Sequence, residues 1–221
     1  MLITLADLTV EITDPSKTVA DYVKEYLADD SFAGDAAFSV AGNDILELHR
    51  AIAEKIPLFD RLVCHGAVIE AEGQGIMFTA PSGTGKTTHV KLWQKYCEGP
   101  VRVINGDKPV LRLNRGADGK DRVTAFGTPW MGKERMGENT SVRLDALVLL
   151  ERGKENRIRK ADPAESLERL MQQIYIPADR SAADETYALT EMILRSVPFY
   201  ILECTPDERS AEEARRGIFG N

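Results

Sequence analysis

The spacing of apolar residues along the chain switches between the period of a β-strand and the period of an α-helix. Residues 2–12 read LITLADLTVEI, which is mostly apolar and predicts a strand or a pair of strands. Residues 18–29 and 44–55 place apolar side chains three and four positions apart, which predicts two amphipathic helices, the second ending before Pro57. The N-terminal part of the chain therefore combines strands with helices.

From residue 61 onward, strand and helix patterns follow one another. Strands are predicted at residues 61–70, 76–79, 101–104, 109–113, 123–126, 144–150 and 197–204, and helices at residues 87–96, 162–174, 184–196 and 207–216. Residues 144–150 are apolar almost without interruption, as expected for a buried central strand. This order predicts an α/β fold with a mixed β-sheet flanked by helices. Residues 1–58 would form an N-terminal region of strand and helix that packs on a core made of residues 59–221.

Composition restricts the class of protein further. A length of 221 residues suits one domain with a small N-terminal lobe. The net charge of −7 disfavours a nucleic-acid-binding protein, although it allows a local basic pocket for phosphate. The cysteines Cys64, Cys97 and Cys204 are widely spaced without a metal-binding pattern, so we expect reduced thiols and a cytoplasmic location. No secretion signal or membrane segment is expected.

The segment APSGTGKT at residues 80–87 lies between a predicted strand and a predicted helix. Glycines in such a loop let consecutive backbone N–H groups surround phosphate oxygens, and the start of the next helix adds positive potential. Lys86 would reach the β- and γ-phosphates, and the Thr87 hydroxyl would hold Mg²⁺. Ala80 stands where the strict consensus has glycine, so a simple Gly-rich connection remains the alternative interpretation. The predicted cofactor-binding residues are Ser82, Gly83, Thr84, Gly85, Lys86, Thr87 and Thr88.

Four further segments give the chain a resemblance to a known family. They are CHGAV at residues 64–68, VINGDKP at 103–109, GTPWMGKE at 127–134 and LERGKENRI at 150–158. Together with residues 78–93 they resemble HPr kinase/phosphorylase and ATP-dependent phosphoenolpyruvate carboxykinase, and most of all a set of short bacterial HPr-kinase-like proteins. The resemblance covers about residues 45–210. It implies a P-loop kinase core that uses ATP and Mg²⁺.

The chain departs from that family in two respects. It is too short to be the carboxykinase, and it lacks the additional regions with which HPr kinase builds a hexamer. Where the family's second motif usually has two adjacent aspartates, this chain has Gly106 followed by Asp107. Asp107 alone must then either hold the metal or activate the acceptor, so we expect a slow enzyme. We also expect Gly106→Asp to raise its turnover.

Asp107 and His65 are the leading candidates for chemistry. A carboxylate after an apolar strand and near the phosphate loop could hold Mg²⁺ or accept a hydroxyl proton, although an aspartate in a simple turn is the alternative. By resemblance, His65 would bind phosphate or position the nucleophile. The alternative is a half-buried histidine with a purely structural role.

The loop after residue 126 and the arginines supply weaker candidates. Glu134 could complete the Mg²⁺ shell and Lys133 could offset phosphoryl charge, unless both belong to a solvated loop. Trp130 is read as a core anchor or a wall of the acceptor pocket. Arg143 and Arg157 could clamp phosphate, although surface arginines are the more common case. His89 is expected to be structural, and the basic run at residues 151–160 is interpreted as a hairpin edge.

These residues favour a kinase that transfers the γ-phosphoryl group of ATP to a hydroxyl. Serine of a protein or peptide is the acceptor class that the resemblance implies, and a small-molecule hydroxyl is also compatible. Lys86 is included among the catalytic residues with Asp107, His65 and Glu134. A nucleotide-binding regulatory or scaffold protein is the second hypothesis, and a phosphate-releasing enzyme is the third. No nucleic-acid or membrane partner is expected, while ATP or GTP preference and a homo-oligomeric state stay open.

Overall fold

The computed structural model describes residues 1–29, 31 and 33–220. The strands are Leu2–Leu5 (β1), Leu8–Thr13 (β2), Phe38–Ala41 (β3), Arg61–Val63 (β4), Gly66–Ala71 (β5), Gln74–Thr79 (β6), Val101–Asn105 (β7), Val110–Asn114 (β8), Arg122–Phe126 (β9), Ser141–Arg152 (β10), Arg157–Lys160 (β11) and Phe199–Cys204 (β12). The α-helices are Lys17–Tyr22 (α1), Ile45–Ala53 (α2), Lys86–Tyr96 (α3), Pro163–Met171 (α4), Arg180–Ser196 (α5) and Glu208–Phe219 (α6). Short 3₁₀ helices occur at Lys24–Tyr26 and Ile56–Phe59.

Strand β10 lies at the centre of a nine-stranded mixed sheet. It pairs antiparallel with β9 near its start and parallel with both β6 and β12 farther along. Its inner residues are buried and alternate between two apolar clusters. Leu147 and Leu149 face the cluster shared with α4 and α5, whereas Ala146 and Val148 face the cluster shared with α3 and α6. The predicted mixed sheet flanked by helices and the predicted buried central strand are both confirmed.

The parallel arrangement of β6, β10 and β12 brings their carboxyl ends to one edge of the sheet. Ligands in open α/β sheets usually bind outside this edge. The Gly-rich segment follows β6 at this edge and leads directly into α3. The fold therefore places the predicted phosphate loop where such folds bind their ligands.

The N-terminal region forms a separate three-stranded sheet, in which β1 pairs antiparallel with β2 and β3 pairs parallel with β2. Its apolar residues share a buried cluster with Val63, Val110, Phe126, Trp130 and Met131 from the central part of the chain. The division at residues 58 and 59 remains a proposal, and its two ranges include residues 30, 32 and 221, which lie outside the described residues.

Several predicted boundaries were wrong because tertiary pairing changed the local structure. The strand predicted at residues 61–70 is broken at Cys64 and His65, since β4 pairs with β8 whereas β5 pairs with β6 and β7. The helix predicted at 162–174 ends at Met171, because the next residues run along the free edge of β4. There the backbone N–H of His65 donates to the carbonyl of Gln173 at 2.7 Å.

Other boundaries differ for local reasons. The helix predicted at residues 18–29 ends at Tyr22, because Val23 leaves helical geometry and is buried together with Tyr26. Helix α5 begins at Arg180, earlier than predicted, because the Asp179 side chain caps it by accepting from the N–H of Ala182. The hairpin expected within residues 151–160 does not form, because β12 lies between β10 and β11. β11 pairs with β12 alone, so the expected edge strand is present.

The thiols of Cys64, Cys97 and Cys204 are free, and only that of Cys64 is fully buried. Within the part of the chain that the structure describes, no helix has both the length and the apolar character required to cross a membrane.

Candidate functional site

The loop between β6 and α3 contains two glycines with positive φ. Gly83 and Gly85 adopt φ values of 78° and 123°, a region that side chains disfavour. A Cβ at either position would meet no atom within 4 Å, so backbone conformation, and not lack of space, accounts for glycine here. Among residues 1–29, 31 and 33–220, the amides of Ser82, Gly83 and Gly85 donate no hydrogen bond to a backbone carbonyl. These amides can therefore donate to a bound anion.

Lys86 begins α3 and is almost entirely buried, with only 8% of the residue exposed. Its ammonium donates to the carbonyl of Ala80 at 2.8 Å, across the mouth of the loop. Desolvation lowers the pKa of Lys86 to about 8, and the charge of Asp107 offsets only part of this effect. An anion in the loop would supply the countercharge that this ammonium lacks.

A cavity of about 580 Å³ opens beside the loop. It contains most of the residues that the sequence analysis singled out. The predicted site residues that line it are His65, Ser82, Gly83, Gly85, Lys86, Thr87, Thr88, Asp107, Lys133 and Glu134. Thr84 lines a second cavity on the other side of the loop. The fold therefore gathers residues from four separate segments around one space.

The Asp107 carboxylate lies between the ammonium of Lys108 and the imidazole of His65. Its Oδ2 lies 3.1 Å from the ammonium of Lys108, and its Oδ1 lies 3.4 Å from Nε2 of His65. Burial alone would raise the pKa of Asp107, but the hydrogen bond from His65 and the charge of Lys108 outweigh burial and lower it. Asp107 is therefore ionised at neutral pH and suited to hold a cation or to orient a hydroxyl.

Asn105 fixes the turn that presents Asp107, and the sequence analysis missed this role. Its buried side-chain oxygen accepts from the backbone N–H groups of Asp107 and Lys108 at 2.9 and 2.8 Å. Its amide nitrogen lies 3.1 Å from both the carbonyl and the hydroxyl oxygen of Thr128. An asparagine directly after an apolar strand often forms such a turn, which is the signal that could have identified it.

Arg152 is a second residue that the sequence analysis missed. It ends β10, and its guanidinium donates to the carbonyl of Gly83 at 2.5 Å and approaches that of Thr84 at 3.5 Å. Its position directly after the buried run 144–150 was the available signal, because the carboxyl end of a central parallel strand lies at the ligand edge of the sheet.

Glu134 and Lys133 lie at the rim of the cavity. The Glu134 side chain is 56% exposed and forms an ion pair of 3.2 Å with Lys91 of α3. The loop that carries Glu134 therefore contacts α3 through an ion pair that is open to solvent.

The remaining candidates do not belong to the described lining of this cavity. Arg143 pairs with Asp145, and neither Arg143 nor Arg157 belongs to the described lining of the cavity. His89 is buried and lies 3.1 Å from the indole nitrogen of Trp93, which is a structural contact. Trp130 packs edge-on against His49 at a centroid distance of 4.8 Å, as a core anchor would.

Gly106 lies in a crowded place. A Cβ there would stand 3.0 Å from the carbonyl oxygen of Met136 and 3.1 Å from that of Met131. Both carbonyls belong to the loop that lines the cavity. A side chain at this position would require these carbonyls to shift by a few tenths of an ångström.

The residues present fit a magnesium ion that is carried by a nucleotide. Within the described residues, no group of three His, Cys, Asp or Glu side chains could hold a metal ion by itself. Mg²⁺ in phosphate-transfer sites usually takes one or two protein oxygens, with substrate phosphates and water as the other ligands. Thr87 and Asp107 line the same cavity and supply that number of oxygens.

Comparison with known proteins gives a limited result. No protein-family model matches this sequence, and no curated protein matches it. The chain is similar to the solved structure of the Hpr(Ser) kinase/phosphatase from Coxiella burnetii, with a TM-score of 0.36 and 10% sequence identity. That similarity covers 72% of this chain and 93% of the other.

A larger cavity, of about 960 Å³, lies between α4, the end of α5 and β12. Its described lining includes none of the predicted site residues and no part of the phosphate loop. We therefore place the functional site at the smaller cavity, where charged groups and free backbone amides converge.

Proposed function

We propose that this protein is a Mg²⁺-dependent kinase that transfers the γ-phosphoryl group of a nucleoside triphosphate to a hydroxyl. One observation carries the proposal. The desolvated ammonium of Lys86 and the free amides of the loop share a single cavity with the ionised Asp107 and its neighbour His65. Phosphoryl transfer needs this combination, because the protein must neutralise phosphate charge and orient the attacking oxygen.

The residues divide the reaction between them. The loop amides and Lys86 hold the phosphates, and the start of α3 adds its positive end. Mg²⁺, held by the Thr87 hydroxyl and the Asp107 carboxylate, would neutralise charge on the phosphate oxygens. The acceptor oxygen attacks the γ-phosphorus, the bond from that phosphorus to the bridging oxygen breaks, and the nucleoside diphosphate leaves. The acceptor proton passes to the imidazole of His65, which Asp107 holds in place.

The proposed acceptor is a serine hydroxyl of a protein or peptide, with a small-molecule hydroxyl as the other acceptor class. The open cavity supports access for a substrate larger than a nucleotide, since its rim includes the exposed Glu134 and Lys133. A second candidate function is nucleotide binding without efficient catalysis. It is favoured by the two groups that already engage Asp107 and by the absence of a carboxylate at residue 106.

Calorimetry with ATP·Mg²⁺ and with adenosine tests the proposal. Lys86→Ala removes the buried charge that faces the phosphates, so we expect ATP affinity to fall about 100-fold or more, as for other charge-assisted contacts that are lost, while adenosine binding is unchanged. Lys95→Ala is the matched control, because Lys95 is an exposed lysine in the last turn of the same helix. Equal binding of ATP by the parent and Lys86→Ala would overturn the proposal.

A second measurement distinguishes the kinase from the binding protein. The parent protein is incubated with γ-labelled ATP, Mg²⁺ and a library of serine-containing peptides. Transfer of label that is lost in Lys86→Ala supports the kinase. Binding of ATP without transfer of label to any peptide, small alcohol or extract protein supports the regulatory alternative.

A further inference from the structure

A second cavity, of about 460 Å³, lies on the other side of the phosphate loop. Gly83, Gly85 and Thr88 line both this cavity and the first one. The two spaces therefore meet at the loop and at the first turn of α3. The volume is within the range of about 300–1,000 Å³ that small-molecule sites occupy.

The walls of this second cavity are mostly apolar. Leu92 of α3, Leu150 of β10 and Pro206 after β12 form them. Thr84, Thr88 and Thr205 supply the hydroxyls of the described lining. That of Thr205 lies 3.1 Å from Oδ1 of Asn156 and 3.0 Å from Oδ2 of Asp207. It is therefore already engaged within the protein.

Arg152 supplies the one charged side chain of the lining that the structure describes. Its guanidinium is fixed through the carbonyls of Gly83 and Thr84, so little further side-chain freedom would be lost when a ligand binds. A guanidinium is planar and stacks on flat aromatic rings. The cavity thus combines apolar walls with a fixed planar cation beside the phosphate loop.

We propose that this second cavity binds the base and ribose of the nucleoside triphosphate, with the base stacked on Arg152. The inference rests on the proposed function, because it places the remainder of the nucleotide whose phosphates occupy the loop. Stacking and apolar contact recognise the flat face that all bases share. The Thr205 hydroxyl is bonded within the protein, and Thr84 and Thr88 belong to the loop and the first turn of α3, toward the phosphates. The site therefore accepts adenine and guanine nearly equally.

Three ligands with the same three phosphates test the site: ATP, GTP and inorganic tripolyphosphate, each titrated with Mg²⁺ in a calorimeter. For the parent protein we expect ATP and GTP to bind within about threefold of one another, because stacking depends little on the identity of the base. Both should bind roughly 5- to 100-fold more tightly than tripolyphosphate, since that is the range of one stacked base.

Two variants test whether the tighter binding of ATP and GTP depends on the second cavity. Arg152→Lys keeps a cation that can donate to the loop carbonyls but removes the planar surface. Leu92→Trp fills the cavity from α3. We expect both to lower the affinities for ATP and GTP toward that for tripolyphosphate, whose own affinity stays unchanged. Gln94→Trp is the matched control, because residue 94 is exposed on the same helix and does not line the cavity.

The outcomes separate the two proposals. Equal affinities for ATP and tripolyphosphate in the parent, or parent-like binding of ATP by both Leu92→Trp and Arg152→Lys, would overturn the nucleoside site and leave the phosphate site intact. A preference for one purine of more than about 30-fold would overturn the claim of equal recognition, since stacking alone does not discriminate to that degree. If no triphosphate binds the parent protein more tightly than it binds Lys86→Ala, the proposed function itself is overturned.

Discussion

Nε2 of His65 lies 3.4 Å from Oδ1 of Asp107, although the two residues belong to different strand ends. His65 immediately precedes β5, and Asp107 lies just beyond the end of β7. Because β5 and β7 are antiparallel neighbours, the start of one strand lies beside the end of the other. A backbone hydrogen bond of 2.9 Å from the N–H of Gly66 to the carbonyl of Asp107 fixes this approach.

Asp107→Asn tests whether the charge of this carboxylate is needed for transfer. The variant keeps the shape of the side chain, so we expect nucleotide affinity to be retained. The dependence on Mg²⁺ should weaken, and turnover should fall by about 10²- to 10⁴-fold, the range for loss of acid–base help. Initial rates at several Mg²⁺ concentrations measure both effects. Asp118→Asn in the exposed hairpin loop serves as the control, and unchanged turnover in Asp107→Asn would move the catalytic role to His65 or Glu134.

The pKa of Lys86 predicts that nucleotide binding takes up a proton in alkaline solution. In the free protein burial lowers this pKa to about 8, so most of the ammonium is deprotonated at about pH 9. Phosphates beside Lys86 favour the charged form and raise its pKa. We therefore expect uptake of most of one proton at about pH 9 and little uptake at about pH 7, and the affinity for ATP should decline as the pH rises above about 8.

Calorimetry in buffers of different ionisation enthalpy measures this uptake. Lys86→Arg is the control, because a guanidinium remains protonated throughout this range. Equal uptake in the parent and in Lys86→Arg would assign the proton to another group.

Gly106→Asp is now expected to disturb the site, which replaces the expectation drawn from the sequence that it would raise turnover. Any Cβ at residue 106 would crowd the carbonyl oxygens of Met131 and Met136. We expect both Gly106→Ala and Gly106→Asp to lose about 1–3 kcal/mol of stability, the usual cost of overpacking. Thermal melting measures this loss. Faster phosphoryl transfer by Gly106→Asp than by Gly106→Ala would show that the missing carboxylate does limit the reaction.

The burial of His49 leads us to expect that the protein loses stability in weak acid. It is buried against Trp130 and Tyr175, and desolvation lowers its pKa from 6.5 to about 4. Between these values the unfolded chain binds more protons than the folded protein, so stability rises with pH and is lost as the pH falls from 6.5 toward 4. The contribution of this one group is about 3 kcal/mol.

Denaturant unfolding at several pH values isolates that contribution. His49→Phe keeps a ring against Trp130 and removes the titrating group, so its stability should fall less steeply than that of the parent across this range. His89 is buried in both proteins and contributes equally to each, since desolvation lowers its pKa to about 3. Parallel curves for the two proteins would contradict the prediction.

The local sequence was sufficient to place the Gly-rich loop between a strand and a helix. Gly83 and Gly85 adopt the positive φ values for which glycine is suited, and the strand before them and the helix after them follow from the spacing of apolar residues. The long apolar run 144–150 likewise identified the central strand, because a strand that is buried on both faces has no polar side to present.

Contacts between distant segments could not be predicted in this way. The break at Cys64 and His65 has no local signal. It arises because β4, before the break, pairs with β8, whereas β5, after it, pairs with β6 and β7. The end of α4 at Met171 has a similar cause, because the following residues pair with the edge of β4. Residues Asn105 and Arg152 acquire their roles only from the groups that the fold brings to them.

The sequence by itself determined the α/β class, the position of the Gly-rich loop and the chemical types of the candidate residues, because each depends on residues close together in the chain. Only the tertiary structure decided that Asp107 meets His65, that Arg152 reaches the loop carbonyls, and that a side chain at Gly106 would crowd two carbonyl oxygens. These relationships depend on which strands pair and in which register. Strand pairing is settled by burial and hydrogen bonding across the whole sheet, so no local segment encodes it.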